Sequence, residues 1–395
     1  MKLSRKLKNG GISNMKILVT GAKGFIGKNL VQTLKTIRDK KCKSNIISSD
    51  IHIYEYDINN TIDDLMEYTR DCNFIVHLAG VNRPKNVNEF YKGNKGTIEQ
   101  LCECLKKNNN KCPILVSSST QVGRSNDYAK SKKESEEFIL KFSKYNGNKV
   151  YIYRFANLFG KWCKPNYNSV IATWCYNIAR DLDIQINDKN VELSLCYIDD
   201  VIEEILNAIS GNPSRKVDEY YTVSPIYNVK LGDIRDYIYK FKQSRVDLYI
   251  PNQSNEFIKK LYATYLSYLP ESDFAYPLKM NMDERGSFTE FIKTSNHGQV
   301  SINISKPGIT KGQHWHHTKN EKFLIIRGEG IIQFRKINNN EIIEYKVSGD
   351  KLEVIDIPIG YTHNIINTGD CDMITVMWAN EIFDINKPDT YYEEV

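Results

Sequence analysis

The sequence predicts a doubly wound α/β parallel sheet followed by a small all-β barrel. Three observations predict it. A strand, a glycine turn and a helix follow one another over residues 16–34. A serine-ended strand then precedes a Tyr-x-x-x-Lys pair. From about Phe274 the pattern changes to short β-like runs broken by Gly, Pro and Asn, and five of the seven histidines fall in that last third.

A chain of 395 residues suits two or three domains at about 100–200 residues each. Hydrophobic content of 41% and charged content of 26% describe a globular protein with a core. The net charge of +6 is modest, and its Lys and Arg are scattered without interleaved aromatics. Nucleic acid is therefore not an expected partner. Nine cysteines without a CxxC pair make neither a disulfide framework nor a zinc–thiolate site. A reducing, cytoplasmic setting is expected. Residues 1–14 are basic and polar with no apolar stretch behind them, so they read as a disordered extension and not as a signal peptide. No run of about 18 apolar residues suggests a membrane span.

Lys16–Thr20 is an apolar, β-branched strand. Gly21-Ala22-Lys23-Gly24-Phe25-Ile26-Gly27 follows and opens a helix. Gly21 permits the tight turn, Gly24 lets the backbone approach a pyrophosphate, and Gly27 lets helix and sheet pack closely. The free N–H groups of Lys23, Phe25 and Ile26 then face phosphate at the positive end of the helix. A second strand is expected over 45–49, with Asp50 near the place of a ribose-binding carboxylate. That reading leaves NAD and NADP open. A third apolar run ends in Leu78-Ala79-Gly80, small enough to admit a cofactor.

The strand Pro113–Ser117 runs on into Ser118 and Ser119, and Tyr128 and Lys132 follow at i, i+4 on one helix face. The ammonium is expected to draw the phenol pKa down, making Tyr128 a proton donor to a carbonyl under hydride attack. A serine hydroxyl would hold the same oxygen.

With these motifs in order, residues 15–245 resemble an extended short-chain dehydrogenase/reductase acting on nucleotide sugars, a Rossmann-type fold. The resemblance extends to Tyr153–Gly160, to Leu195–Val201 and to Asp57-Ile58. It implies Ser119, Tyr128 and Lys132 as the catalytic set, with Ser118 as second choice for the serine. It implies Asp57 and Ile58 against the adenine, and Arg154 and Asn157 over the sugar nucleotide.

Residues 246–273 read as a connector with a helix at 257–268, and residues 274–395 as the barrel. His314-Trp315-His316-His317, Glu321 and His363 offer imidazoles and a carboxylate suited to a divalent metal such as zinc. On a strand, His314 and His316 would share a face and His317 would point away. The spacings Gly308-x5-His314-x-His316-x4-Glu321-x6-Gly328 and Pro358-x-Gly360-x2-His363-x3-Asn367 resemble the two cupin motifs. That resemblance implies a cupin barrel with His314, His316, Glu321 and His363 as metal ligands, His316 being the one some cupins omit. Asp283–Glu290 and Lys311–His314 also resemble segments of nucleotide-keto-sugar 3,5-epimerases, which implies Arg285 as a phosphate contact. His314 falls on a metal position, so the base is left open among His316, His317 and Tyr361.

Together the two halves resemble the CapF-type bifunctional capsular-polysaccharide enzymes. The resemblance implies NADPH, a divalent metal, a UDP-linked 4-keto sugar as substrate and a homodimer. It implies epimerisation at carbon 3 in the cupin and reduction at carbon 4 in the first domain. A nucleotide-sugar 4-epimerase or dehydratase that retains its nicotinamide, or a cofactor-bound scaffold with a dimerising cupin, are the alternatives. Thr120 and Gln121 stand where a dehydratase would carry an acid.

Overall fold

The computed structural model describes residues 14–84, 86–214 and 216–395. The extension expected at 1–14 lies outside the described residues except for Asn14, which forms a turn. The chain divides into two compact units. One holds residues up to Ile238 together with Lys260–Leu269, and the other holds Tyr239–Lys259 and Pro270–Val395. The segment read as a connector is therefore divided between them. Within the first unit, Lys260 Nζ lies 2.8 and 2.9 Å from the two carboxylate oxygens of Asp200. Among the described residues no helix is long and apolar enough to cross a membrane.

The first unit runs β1 (Met15–Thr20), α1 (Phe25–Arg38), β2 (Ile51–Tyr56), α2 (Ile62–Asp71), β3 (Phe74–His77) and α3 (Asn88–Phe90), which passes through a π-turn into α4 (Thr97–Lys107). Then come β4 (Ile114–Ser119), α5 (Asp127–Asn146), β5 (Val150–Phe155), β6 (Asn157–Phe159), α6 (Val170–Ala179), β7 (Glu192–Tyr197), α7 (Ile198–Ile209), β8 (Lys216–Val217), β9 (Tyr220–Tyr221) and β10 (Tyr227–Lys230). The main sheet has the order β2-β1-β3-β4-β5-β9-β8 and is parallel but for its last pair. Its inner strands are apolar on both faces, as a parallel sheet covered by helices requires. Ile17, Val19, Phe74, Val76 and Leu115 face one core. Leu18, Ile75, Ile114 and Val116 alternate onto the other. The chain leaves β1 toward β2 and returns on the other side to β3, which makes the β1/β3 boundary a switch point with a crevice at the strands' carboxyl ends.

The second strand differs from the sequence expectation. Residues 45–49 form bends and irregular backbone, and β2 begins at Ile51, pairing Met15 with Ile51 and Thr20 with Tyr56. The serines at 44 and 48 explain the shift. Ser44 Oγ accepts from the N–H groups of Ile46 and Ile47, and Ser48 Oγ from that of Asp50, so side chains compete for the backbone there.

Helices α8 (Leu231–Asp247) and α9 (Glu256–Leu266) precede the β unit. It contains β11 (Met280–Asp283), β12 (Gly286–Thr294), β13 (Gly298–Ser305), β14 (Thr310–Trp315), β15 (Glu321–Arg327), β16 (Glu329–Lys336), β17 (Ile342–Ser348), β18 (Val354–Ile357), β19 (Tyr361–Asn367), β20 (Met373–Ala379) and β21 (Tyr391–Tyr392). Two antiparallel sheets, β11-β12-β13-β20-β15-β18 and β17-β16-β19-β14-β21, share a core that includes Phe323, Ile325 and Met373 from one and Ile332, Phe334 and Ile365 from the other. This is a cupin-like β domain.

Candidate active site and metal centre

The glycine turn is built for close approach. Gly21 sits at φ +69°, and a Cβ there would meet Ala79 N at 2.8 Å. A Cβ on Gly27 would lie 2.1 Å from Gly21 O. Gly24 caps α1 without a side-chain hydrogen bond, and the first turn of the helix carries no acid. Of the N–H groups expected to receive a pyrophosphate, those of Phe25 and Ile26 are thus left without a side-chain cap, whereas that of Lys23 is given to Asp57. At the end of β3, a Cβ on Gly80 would come 3.3 Å from Lys132 Nζ. These cradles fit a dinucleotide. Asp57 directly follows β2, and its Oδ2 accepts from Lys23 N–H at 2.7 Å. Ile58 is 92% exposed.

Asn126 caps α5, its Oδ1 accepting from Ala129 N–H at 2.8 Å, and this starts the helix so that Tyr128 and Lys132 lie one turn apart. Lys132 is buried and donates to Ser117 O at 3.1 Å. Burial pulls its pKa down to about 8, with Glu136 opposing. Burial raises the Tyr128 phenol pKa, and a hydrogen bond with Ser119 draws it partly back. The lowering expected from Lys132 is not found: desolvation of the phenol dominates, and the one opposing influence comes from Ser119. The two serines part company: Ser118 Oγ donates to Glu136 Oε1 at 2.5 Å, whereas Ser119 meets Tyr128.

Two residues invisible to motif reading complete this edge. Asn94, in the π-turn, receives Val81 N–H at 2.9 Å and donates to Ser131 Oγ at 2.9 Å, which ties the Gly80 turn to α5. Glu136 is only 2% exposed and sits one turn beyond Lys132. Arg154 grips it through Nε at 3.0 Å and Nη2 at 2.7 Å, and stacks on Tyr220 with its guanidinium carbon 3.3 Å from the ring centroid. Arg154 therefore commits Nε and Nη2 to Glu136 while its side chain stays 30% exposed. Asn157 is exposed and donates to Ser194 O at 3.1 Å. A cleft of about 430 Å³ opens among Arg83, Asn166, Asn168, Ser169, Thr173 and Trp174. Its only signal in the sequence is the polar, loop-forming composition of residues 163–169.

In the β unit, His314, His316, Glu321 and His363 come together with candidate ligand atoms all within 4.8 Å of one another. The elements explain the meeting. Gly312, at φ +99°, has no Cβ to strike His363 O, and a bulge after it sets His314 directly opposite His363 across β14 and β19. Glu321 opens β15 in the other sheet. His316 Nε2 and His363 Nε2 lie 3.4 and 3.5 Å from Glu321 Oε2. His316 and His363 are each 1% exposed. His316 Nε2, Glu321 Oε2 and both ring nitrogens of His363 are buried without a hydrogen-bond partner. Orphaned lone pairs converging on one point fit a divalent cation. Burial and the neighbouring imidazoles His363 and His316 pull the His314 pKa down to about 4, so it is neutral and able to ligate. Burial pushes the Glu321 carboxyl up, but His316, His363 and Lys319 outweigh it and hold it below the usual range. His317 stays out of the group, packing on Trp315 and Tyr391. The strand itself ends at Trp315, one residue before the expected alternation finishes. Arg285 is exposed and pairs with Asp283 at 2.6 Å.

Residues 17–224 match the NAD dependent epimerase/dehydratase family, and residues 281–391 match the polysaccharide biosynthesis C-terminal domain. The UDP-2-acetamido-2,6-beta-L-arabino-hexul-4-ose reductase of Pseudomonas aeruginosa is 40% identical over 377 residues, 95% of this chain and 98% of its own length. The crystal structure of capsular polysaccharide assembling protein CapF from Staphylococcus aureus is 55% identical, with a TM-score of 0.88 over 96% of this chain and 100% of that one. A structure of CapF with the inhibitor 3-isopropenyl-tropolone is 52% identical with a TM-score of 0.85, at the same coverage.

Proposed function

The chain belongs to the NAD dependent epimerase/dehydratase family and is a homologue of CapF, and from that premise we propose that it is a bifunctional enzyme of UDP-linked 4-keto sugars. Its first unit binds NAD(P) and reduces the 4-ketone. Its β unit epimerises the neighbouring carbon 3 of UDP-2-acetamido-2,6-dideoxy-4-hexulose, and the combined product is UDP-N-acetyl-6-deoxy-L-talosamine for capsular polysaccharide synthesis. The observation that carries the reading is the meeting of Ser119, Tyr128 and Lys132 beside Gly80 at the carboxyl edge of the parallel sheet. The hexulose reductase of Pseudomonas aeruginosa, which this chain resembles over 95% of its length, supports the reading. The proposal includes a cytoplasmic homodimer.

Gly21, Gly24 and Gly27 would admit the pyrophosphate, and Leu78, Ala79 and Gly80 the nicotinamide half. The reduced dinucleotide supplies hydride. Tyr128 gives its proton to the ketone oxygen, and the Ser119 hydroxyl orients that oxygen. The raised phenol pKa keeps Tyr128 protonated until charge develops on the substrate, and Lys132 then stabilises the phenolate left behind. Ser118 cannot take the Ser119 role while its hydroxyl is given to Glu136.

His314, His316, Glu321 and His363 would hold a divalent ion, zinc by their donor set. Such an ion supplies Lewis-acid polarisation of the 4-keto oxygen, which acidifies carbon 3. Tropolones carry vicinal oxygens that chelate divalent cations, so the CapF inhibitor is consistent with this assignment. Arg285 would contact the nucleotide phosphates.

NMR of the product formed from the UDP-4-keto sugar and NAD(P)H in deuterated water tests both halves. Deuterium at carbon 3 with net dinucleotide oxidation is expected. In Tyr128→Phe the oxidation should vanish while exchange persists. Reduction that survives this substitution would remove Tyr128 from its role, and exchange that persists after chelation would remove the metal from the epimerisation.

A further inference from the structure

His316 is the metal-site residue with a second fixed partner, and that partner comes from the far end of the chain. His316 Nδ1 lies 2.5 Å from the backbone carbonyl oxygen of Asp389. A carbonyl oxygen only accepts, so Nδ1 carries the ring proton and Nε2 keeps its lone pair. That Nε2 is the buried, unpartnered atom turned toward Glu321.

The Asp389 side chain holds the same loop from a second direction. Its Oδ1 accepts from His317 N–H at 3.0 Å, and its Oδ2 accepts from Thr318 N–H at 2.6 Å, Lys319 N–H at 2.8 Å and the Thr318 hydroxyl at 2.9 Å. Residues 316–320 are the link between the end of β14 and Glu321 at the start of β15. One carboxylate therefore fixes the spacing between two ligands, while the adjacent carbonyl fixes the tautomer of one. The next residues seal the arrangement. Thr390 Oγ1 receives Lys319 Nζ at 3.1 Å, and β21 pairs antiparallel with the His314-Trp315 end of β14.

We infer that Asp389 is a positioning residue of the metal centre, setting the His316 tautomer and the His316–Glu321 spacing from outside the ligand set. The inference rests on the proposed metal reading, and it gives Asp389 the part that outer-shell carbonyls and carboxylates play in presenting imidazole to a metal.

The test uses the full chain. Long-range proton–nitrogen NMR of the metal-stripped protein reads the imidazole tautomers directly, and competition with a chromophoric chelator reads zinc affinity. In the parent protein His316 should appear as the Nδ1–H tautomer. Asp389→Ala keeps the backbone carbonyl but releases the 317–319 loop from it, so the carbonyl no longer stays on Nδ1; the tautomers should mix and zinc should weaken by about 10–100-fold, the usual range for loss of such a partner. Asp389→Asn, which keeps the shape and one acceptor, should fall between and serves if the alanine variant does not fold. A His316 already in the Nε2–H form, or both variants binding zinc with parent affinity, would overturn the inference while leaving the metal reading in place. A parent protein that takes up no zinc would overturn the metal reading, and this one with it.

Discussion

Arg154 closes a two-pronged bond on Glu136, Nε to Oε1 at 3.0 Å and Nη2 to Oε2 at 2.7 Å, one helical turn beyond Lys132. Family resemblance alone places Arg154 over the substrate, but its charge is used to neutralise a carboxylate that is 2% exposed. Arg154→Ala would leave that carboxylate buried with the Ser118 and Tyr220 hydroxyls and the nearby Lys132 ammonium but without its ion-pair partner. A cost of about 3–5 kcal/mol in urea unfolding is expected, as for breaking one side of a buried ion pair. Ser118→Ala should cost less, about 1.5–3 kcal/mol, as for a hydrogen bond to a charged group. An Arg154→Ala variant as stable as the parent, with only KM for the sugar nucleotide raised, would return Arg154 to the substrate.

Lys132 gives the reductase half a pH signature. Its pKa is pulled by burial from 10.5 to about 8. If the ammonium is needed to stabilise the Tyr128 phenolate, kcat/KM falls as pH rises through about 8. Stability moves the other way. Between about pH 8 and 10.5 the unfolded chain holds the Lys132 proton and the folded one does not, so this group's contribution rises with pH. Glu136→Gln removes the charge that props the value up, and the alkaline limb should shift to lower pH. A limb unmoved by Glu136→Gln would mean that another group titrates there.

Removing the metal should leave a second mark. With zinc at a hundredfold excess over its Kd, the β unit gains about 2.7 kcal/mol, and a chelator should lower its unfolding temperature accordingly. The metal-free protein should also lose stability on acidification. His314 has a folded pKa of about 4 against an ordinary 6.5. The unfolded chain takes up its proton first, so the His314 contribution is present above about pH 6.5 and drains away as pH falls through about 4. Thermal scans of stripped and zinc-loaded protein from pH 4 to 7 read both effects. Identical unfolding curves with and without chelator would exclude a resident metal.

Much of the fold and the candidate site was legible because the signals are local. The glycine turn, the Tyr128–Lys132 turn of helix and the His314–Glu321 spacing each lie within a few residues, where periodicity or backbone sterics decide the outcome. What escaped was set by distant partners. Glu136 is another acid on a charged helix until Ser118 and Arg154 arrive from β4 and β5. Asn94 reads as a loop residue until Val81 and Ser131 bracket it. Asp389 is separated by 73 residues from the histidine it faces. The second strand was misplaced for a different reason: serines at 44 and 48 capture backbone N–H groups in a stretch whose Ile46 and Ile47 resemble a strand.

That shift of the second strand bears on the cofactor. Because Thr20 pairs with Tyr56, the residue that follows the second strand is Asp57 and not Asp50. Asp57 stands against the glycine turn, its Oδ2 on Lys23 N–H at 2.7 Å and its Oδ1 on Ile58 N–H at 2.8 Å. A carboxylate at this place accepts from the ribose 2′-hydroxyl of NADH and repels the 2′-phosphate of NADPH. Resemblance implies NADPH with Asp57 against the adenine, whereas the place of Asp57 directly after the second strand would suit the ribose of NADH. We expect NADH to serve at least as well as NADPH in the parent enzyme. Asp57→Ser should then move the ratio of kcat/KM values toward NADPH by tenfold or more, equivalent to about 1.4 kcal/mol of differential binding. Asp57→Asn, which keeps a hydrogen-bond acceptor but drops the charge, should move it part of the way. A parent enzyme strongly selective for NADPH, with a ratio indifferent to both substitutions, would show that the Asp57 carboxylate does not face the ribose.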